Sequence, residues 1–166
     1  MSREDGALEL REVRACPGWP GEGCLDSRKV AVLECVEDIP CNPCEAVCPT
    51  GAIVVGAPIT NLPRILGEKC TGCGLCVAVC PGLAIFVVDR NHAEGFAAIT
   101  LPYELLPLPR AGEEVRALDR EGRFLCLAKV LRVHEARKYD RTRVVTVSVA
   151  RRFCDEARGI EVVSHG

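Results

Sequence analysis

The stretch CTGCGLCVAVCP, residues 70–81, spaces Cys70, Cys73, Cys76 and Cys80 as C-x2-C-x2-C-x3-C and closes on Pro81. Thiolates at this spacing suit a four-iron, four-sulfide cube. Three close around it from one loop, and the fourth, beyond a short helical turn, reaches a second cube. Gly72 and Gly74 let the loop turn tightly and bring amide N–H groups toward the sulfides. A second run, CVEDIPCNPCEAVCP at 35–49, repeats the pattern with Cys41, Cys44, Cys48 and Pro49, but Asp38 stands where the first thiolate belongs.

The crossover rule assigns Cys48, Cys70, Cys73 and Cys76 to one cluster (II) and Cys41, Cys44 and Cys80 to the other (I), which needs a fourth ligand. Asp38 occupies the aligned position, and an oxygen ligand there would leave a labile iron. Cys35 reaches the same iron if VEDIP loops out. Cys16 or Cys24 could fold in from the N-terminal segment. Iron prefers sulfur, and Pro40 favours extended backbone at Ile39, so Cys35 is preferred to Asp38. Zinc also accepts four thiolates, but two repeated runs each ending in Cys-Pro are not its usual arrangement. Cys126 and Cys154 read as small apolar core residues. His92, His134 and His165 lack metal-ligand spacing and read as surface residues. No Ser/His/Asp constellation, carboxylate pair or phosphate loop is present, so no catalytic residue is expected and the chain is not expected to be an enzyme by itself.

The elements that must hold these ligands repeat as well. A shift of 32 residues lays Cys41, Cys44, Cys48 and Pro49 on Cys73, Cys76, Cys80 and Pro81, Ala46-Val47 on Ala78-Val79, and Ala52-Ile53 on Ala84-Ile85. That is a duplicated unit: a cysteine loop, a turn of helix stopped by proline, then a strand, AIVV or AIFVV. KVAVLECV at 29–36 adds a strand before the first loop. Residues 1–28 read as an irregular N-terminal segment and 29–92 as a small α+β domain whose clusters replace missing core. Residues 93–166 read as a β-rich extension with turns at LPLPRAG and DREG. In RTRVVTVSVA, Val145, Val147 and Val149 alternate with Thr146 and Ser148, the pattern of a half-buried strand.

Composition narrows the partners. A net charge of −2 with both signs scattered leaves no basic footprint for nucleic acid, and 4% aromatics give no stacking platform. No apolar run approaches the roughly 20 residues that span a bilayer. Residues 1–15 lack a signal-peptide core, so a cytoplasmic location with reduced thiols is expected.

Over residues 29–91 the cysteine runs and the repeat resemble the dicluster bacterial-type ferredoxins. More narrowly, AVLECVEDIPCNPCEAVCPTGAI, NLPRI, KCTGCGLCVAVCPGLAIFVVD and LPYELLPLP look like the ferredoxin-like subunits of FAD-dependent proline- or hydroxyproline-type amino-acid dehydrogenases. That resemblance extends through DREG and RTRVVTVSVA. It implies an α+β fold, a ferredoxin-like pseudo-twofold dicluster domain followed by a small antiparallel β domain. It further implies Cys35 as the fourth ligand of cluster I and two 4Fe–4S clusters. The implied partner is an FAD-containing dehydrogenase in a hetero-oligomer, with electrons passed on to another flavin, a quinone or a soluble acceptor. The C-terminal sheet would then be a docking platform. A freely diffusing ferredoxin and a cluster-containing regulatory or nucleic-acid-binding protein are the competing readings.

Overall fold

The computed structural model describes residues 6–135 and 142–163; His165 lies outside them. In chain order the elements are α1 (Leu10–Ala15), α2 (Glu22–Ser27), β1 (Val30–Leu33), α3 (Pro43–Val47), β2 (Ile53–Val54), β3 (Arg64–Ile65), α4 (Leu75–Val79), β4 (Ile85–Ala93), β5 (Phe96–Tyr103), β6 (Glu114–Leu118), β7 (Phe124–His134), β8 (Arg143–Ala150) and β9 (Gly159–Val162). Single 3-10 turns stand at Gly67–Lys69 and Arg151–Phe153.

The N-terminal segment, expected to be irregular, carries two helices of six residues each. Helices this short are not stable alone; tertiary contacts hold them. Val13 and Leu25 are fully buried, and the Glu9 N–H donates to the Glu12 carboxylate at 3.0 Å at the start of α1. Arg90 on β4 ties α2 down through Nη1 to Glu22 (2.7 Å) and Asp26 (2.9 Å), and its Nη2 reaches Asp155 at 2.6 Å. Between the helices the chain crosses directly over β1, where the Leu33 N–H donates to the Gly18 carbonyl. A Cβ at Gly18 would lie 2.2 Å from the Leu33 oxygen, so only glycine permits the crossing.

Seven strands form one antiparallel sheet in the order β1-β4-β5-β8-β7-β6-β9, and β2 pairs with β3 separately. The pairing follows the repeat: the strand before the first cysteine run (β1) pairs with the strand after the second (β4), and the strand after the first (β2) with the strand before the second (β3). At residue 93, where the sequence suggests a domain boundary, β4 turns into β5 and pairing continues from Ala93↔Phe96 onward.

Strand β1 and the first four residues of β4 (85–88) are buried on both faces, as their unbroken apolar runs require. Val30, Val32, Phe86 and Val88 join Ile99, Leu101, Val115, Val145, Val147 and Ile160 in the core of the curved sheet. Ala31, Leu33, Ile85 and Val87 face the other way, into a core with Cys44, Cys76, Ile53, Ile65 and Val77. Along β8 the alternation places Val145, Val147 and Val149 at full burial.

The sheet curves until its two edges meet. Glu34, just past β1, accepts from Arg158 Nε, just before β9, at 2.5 Å, and from Arg120 Nε and Nη2 at 2.7 and 2.6 Å. Burial alone would raise the Glu34 pKa, but the two guanidinium groups hold its carboxyl below the ordinary range. The β6–β7 turn that carries Arg120 is shaped by Asp119, whose carboxylate accepts the N–H groups of Glu121 and Arg123 at 2.9 and 2.8 Å, a self-capping turn.

Candidate functional site

The two cysteine loops are built alike. Pro43 sits in the first turn of α3, where its missing N–H costs nothing; α4 starts from Gly74, in left-handed backbone at φ 79°. Each helix stops at its fourth cysteine, which precedes proline and is driven into extended backbone. Cys48 adopts φ −72°, ψ 110°, and Cys80 adopts φ −74°, ψ 112°. The turn carries each of these thiols out of its own loop. The hydrogen bonding repeats too: the N–H of Ala52 donates to Cys48 Sγ at 3.2 Å, and that of Ala84 to Cys80 Sγ at 3.4 Å. Cys70 Sγ accepts from Ala31 and Gly72, both at 3.4 Å.

Cys48 leaves the first run and lines a small cavity with Cys70, Cys73 and Cys76 of the second, walled by Ala31, Ile53, Leu75 and Val87. Burial pushes the Cys76 thiol up to about 12, and the neighbouring Cys70, Cys73 and Cys48 add to the effect. Cys80 lies instead with the first run. Burial, then Cys80, Cys41 and Cys35, push the Cys44 thiol up to about 11. Burial also raises Cys35, with Cys80 and Cys41 contributing. Cys48 runs the other way: burial opposes ionisation, but the Thr50 hydroxyl and backbone N–H groups lower its pKa. Cys44 and Cys76 lie near each other, where α3 packs on α4.

Cys35 and Cys41 are half-buried, Cys73 is exposed, and Asp38 is exposed on the 36–40 excursion. Among the described residues no three His, Cys, Asp or Glu side chains converge on a point as ligands of one ion do. In a cube each thiolate binds a different iron, so four thiolates need only surround a cavity, and an all-sulfur donor set with backbone N–H groups at its sulfurs fits such a group.

The remaining cysteines occupy definite places. Cys154 is buried in the curved-sheet core and Cys126 packs at its margin. Cys16 lies beside Cys35, and Cys24 beside Cys70; Cys24 Sγ fills the space a side chain at Gly67 would need. The Cys16 thiol donates to the Glu12 carbonyl at 3.2 Å. Spacing gives no hint of either placement, because α1 and α2 reach the cysteine layer only through tertiary packing.

Residues 35–91 match the model of the LdpA Fe-S cluster-binding domain. Over this stretch the chain is similar to iron–sulfur cluster-binding proteins of the ferredoxin kind. Over 60 residues, 36% of the chain, it is 42% identical to a component of the ion-translocating oxidoreductase complex of Methanosarcina acetivorans, covering 20% of that protein. Over 38 residues, 23% of the chain, it is 55% identical to a component of the Na(+)-translocating ferredoxin:NAD(+) oxidoreductase complex of Acetobacterium woodii, covering 11%. An uncharacterized ferredoxin of Methanocaldococcus jannaschii is 40% identical over 48 residues, 29% of the chain and 30% of that ferredoxin. The chain thus spans less than a third of the length of each of these relatives. No solved structure gives a significant match. No helix among the described residues is long and apolar enough to cross a membrane.

Proposed function

We propose that the chain is a non-catalytic electron-transfer subunit that holds two 4Fe–4S clusters. Cluster I would be bound by Cys35, Cys41, Cys44 and Cys80, and cluster II by Cys48, Cys70, Cys73 and Cys76. The donor is an FAD-containing dehydrogenase subunit that oxidises an amino acid or amine within a cytoplasmic hetero-oligomer. The acceptor is another flavin, a quinone or a soluble carrier. The fold class that goes with this reading is the pseudo-twofold dicluster unit with its β extension, supported by the exchanged pairing of β1 with β4 and β2 with β3. The observation that carries the reading is the cavity where Cys48 meets Cys70, Cys73 and Cys76. The names of the Methanosarcina and Acetobacterium relatives support a place in an oxidoreductase complex.

When bound, the clusters supply one-electron acceptance and donation, which splits the two-electron chemistry of a flavin. The chain's own residues do the rest. The N–H groups of Ala31, Ala52, Gly72 and Ala84 point at ligand sulfurs and stabilise the negative charge that reduction adds. Buried Cys44 and Cys76 bring the two sites close together, and exposed Cys73 brings the second to the surface.

Anaerobic iron and sulfide analysis with EPR of the reduced protein tests this directly. Two cubes require about eight irons per chain and two coupled spins; four irons, or zinc, would overturn the dicluster reading. A freely diffusing ferredoxin is less well supported, since a net charge of −2 gives little electrostatic steering. Purification from the native source as a monomer without a flavoprotein would favour it over the subunit reading.

A further inference from the structure

Where the edges of the curved sheet meet, they leave a cleft of about 570 Å³, within the size range of small-molecule sites. Its walls are apolar, with Phe86, Leu101, Tyr103 and Ile160 among them, and Arg120 and Arg158 also line it. Arg158 is 3% exposed. Its Nε is taken by Glu34, and its Nη1 donates to the carbonyls of Cys154 and Ala157 at 3.1 and 2.7 Å. Its Nη2 is buried with no hydrogen-bond partner. An unmet guanidinium donor in an interior costs folding energy, and a site that binds an acceptor there recovers it.

The donors cluster at one end. There two guanidinium groups, Arg120 and Arg158, share one carboxylate, Glu34. Of the other acids lining the cleft, Asp119 is ion-paired with Arg123 at 2.9 Å, and Glu104 accepts from the Thr142 hydroxyl at 2.7 Å. A guanidinium is the group best shaped for a carboxylate or phosphate. We propose that this cleft binds a small organic oxyanion, its charged end on Arg158 and Arg120 and its apolar body against Phe86, Leu101 and Ile160. The bound molecule would touch Ala84, whose N–H donates to Cys80 Sγ, and Glu34, which precedes Cys35. The binding site itself does not depend on the cluster assignment.

Calorimetric titration of the anaerobically purified, iron-loaded chain tests the proposal, with phenyl phosphate and benzoate as probes and benzyl alcohol as the neutral control. Saturable binding of at least one anion is expected, with none for the alcohol. Arg120→Gln should weaken the anion about tenfold or more, the cost of a lost charged hydrogen bond. Gly82→Trp should also weaken it: Gly82 lines the cleft, a Cβ there meets nothing within 4 Å, and the change leaves both arginines alone. No saturable binding of either anion at millimolar concentration overturns the proposal. So does unchanged affinity in whichever variant folds with its iron content intact. Iron content is measured alongside the heat, so a failure of the cluster reading shows as low iron and a failure of this site as lost binding.

Discussion

The two cysteine runs share a spacing and a turn geometry but differ in what holds them. The second has its full spacing within residues 70–81, and its own glycines shape the loop. Gly72, at φ 64°, lies so close to Lys29 that an added Cβ would stand 2.7 Å from that side chain, and Gly74 starts the helix. The first run has no such self-sufficiency. Cys35 lies just past a strand, and Glu34 beside it is gripped by Arg120 and Arg158 from the far end of the sheet. One run is therefore set largely by a short segment and the other by the whole fold, although Cys48 of the first run lines the cavity of the second.

The largest effects should separate the two sites. Cys76→Ser should abolish the second site and Cys35→Ser the first, each lowering iron from about eight to about four per chain, measured by iron and sulfide analysis. If Cys35→Ser leaves iron unchanged, the first run takes its fourth ligand elsewhere. Next comes the grip of the sheet on the first run. Glu34→Ala strips two buried guanidinium groups of their shared partner, a loss of about 3–5 kcal/mol. Denaturant unfolding reads the stability, and EPR should show the first site disturbed more than the second.

These contrasts also mark what the sequence discloses. The repeat is legible because its cysteine spacing is one that no packing rule would produce, so Cys41 to Cys48 and Cys70 to Cys80 stand out in the sequence. The valines of β8 are legible because strand geometry alternates faces. The closure of the sheet is not, since Glu34 and Arg158 stand 124 positions apart and nothing in either neighbourhood names the other. Nor are α1 and α2, whose six residues each lack intrinsic stability and fold against Arg90 and Asp155 only once the sheet exists.

A smaller effect comes from pH. Burial opposes ionisation of Asp155, but Arg90 and Arg14 hold its carboxyl below the ordinary range. A depressed folded-state pKa stabilises the fold above the unfolded value, about 4, and that stability is lost as pH falls through the folded value. Thermal unfolding followed from pH 6 to pH 3 should therefore show a falling midpoint, and Asp155→Asn should flatten the slope. The smallest effect is expected at Asp38. This residue is exposed, and Asp38→Ala should leave iron content unchanged and stability within about 0.5 kcal/mol of the parent. A loss of iron there would make the first run an oxygen-ligated site.

The two-faced burial of β1 and β4 bears on how this protein can be divided. Residues 29–92 look in sequence like a portable cassette, to be lifted out and joined to other chains. Cut there, however, the cassette would carry Val30, Val32, Phe86 and Val88 as a naked apolar strip, and β4 would become an unpaired edge of the kind that recruits other strands. Any transplantation has to bring along β5 and β8 as a lid, or repaint that strip with polar residues.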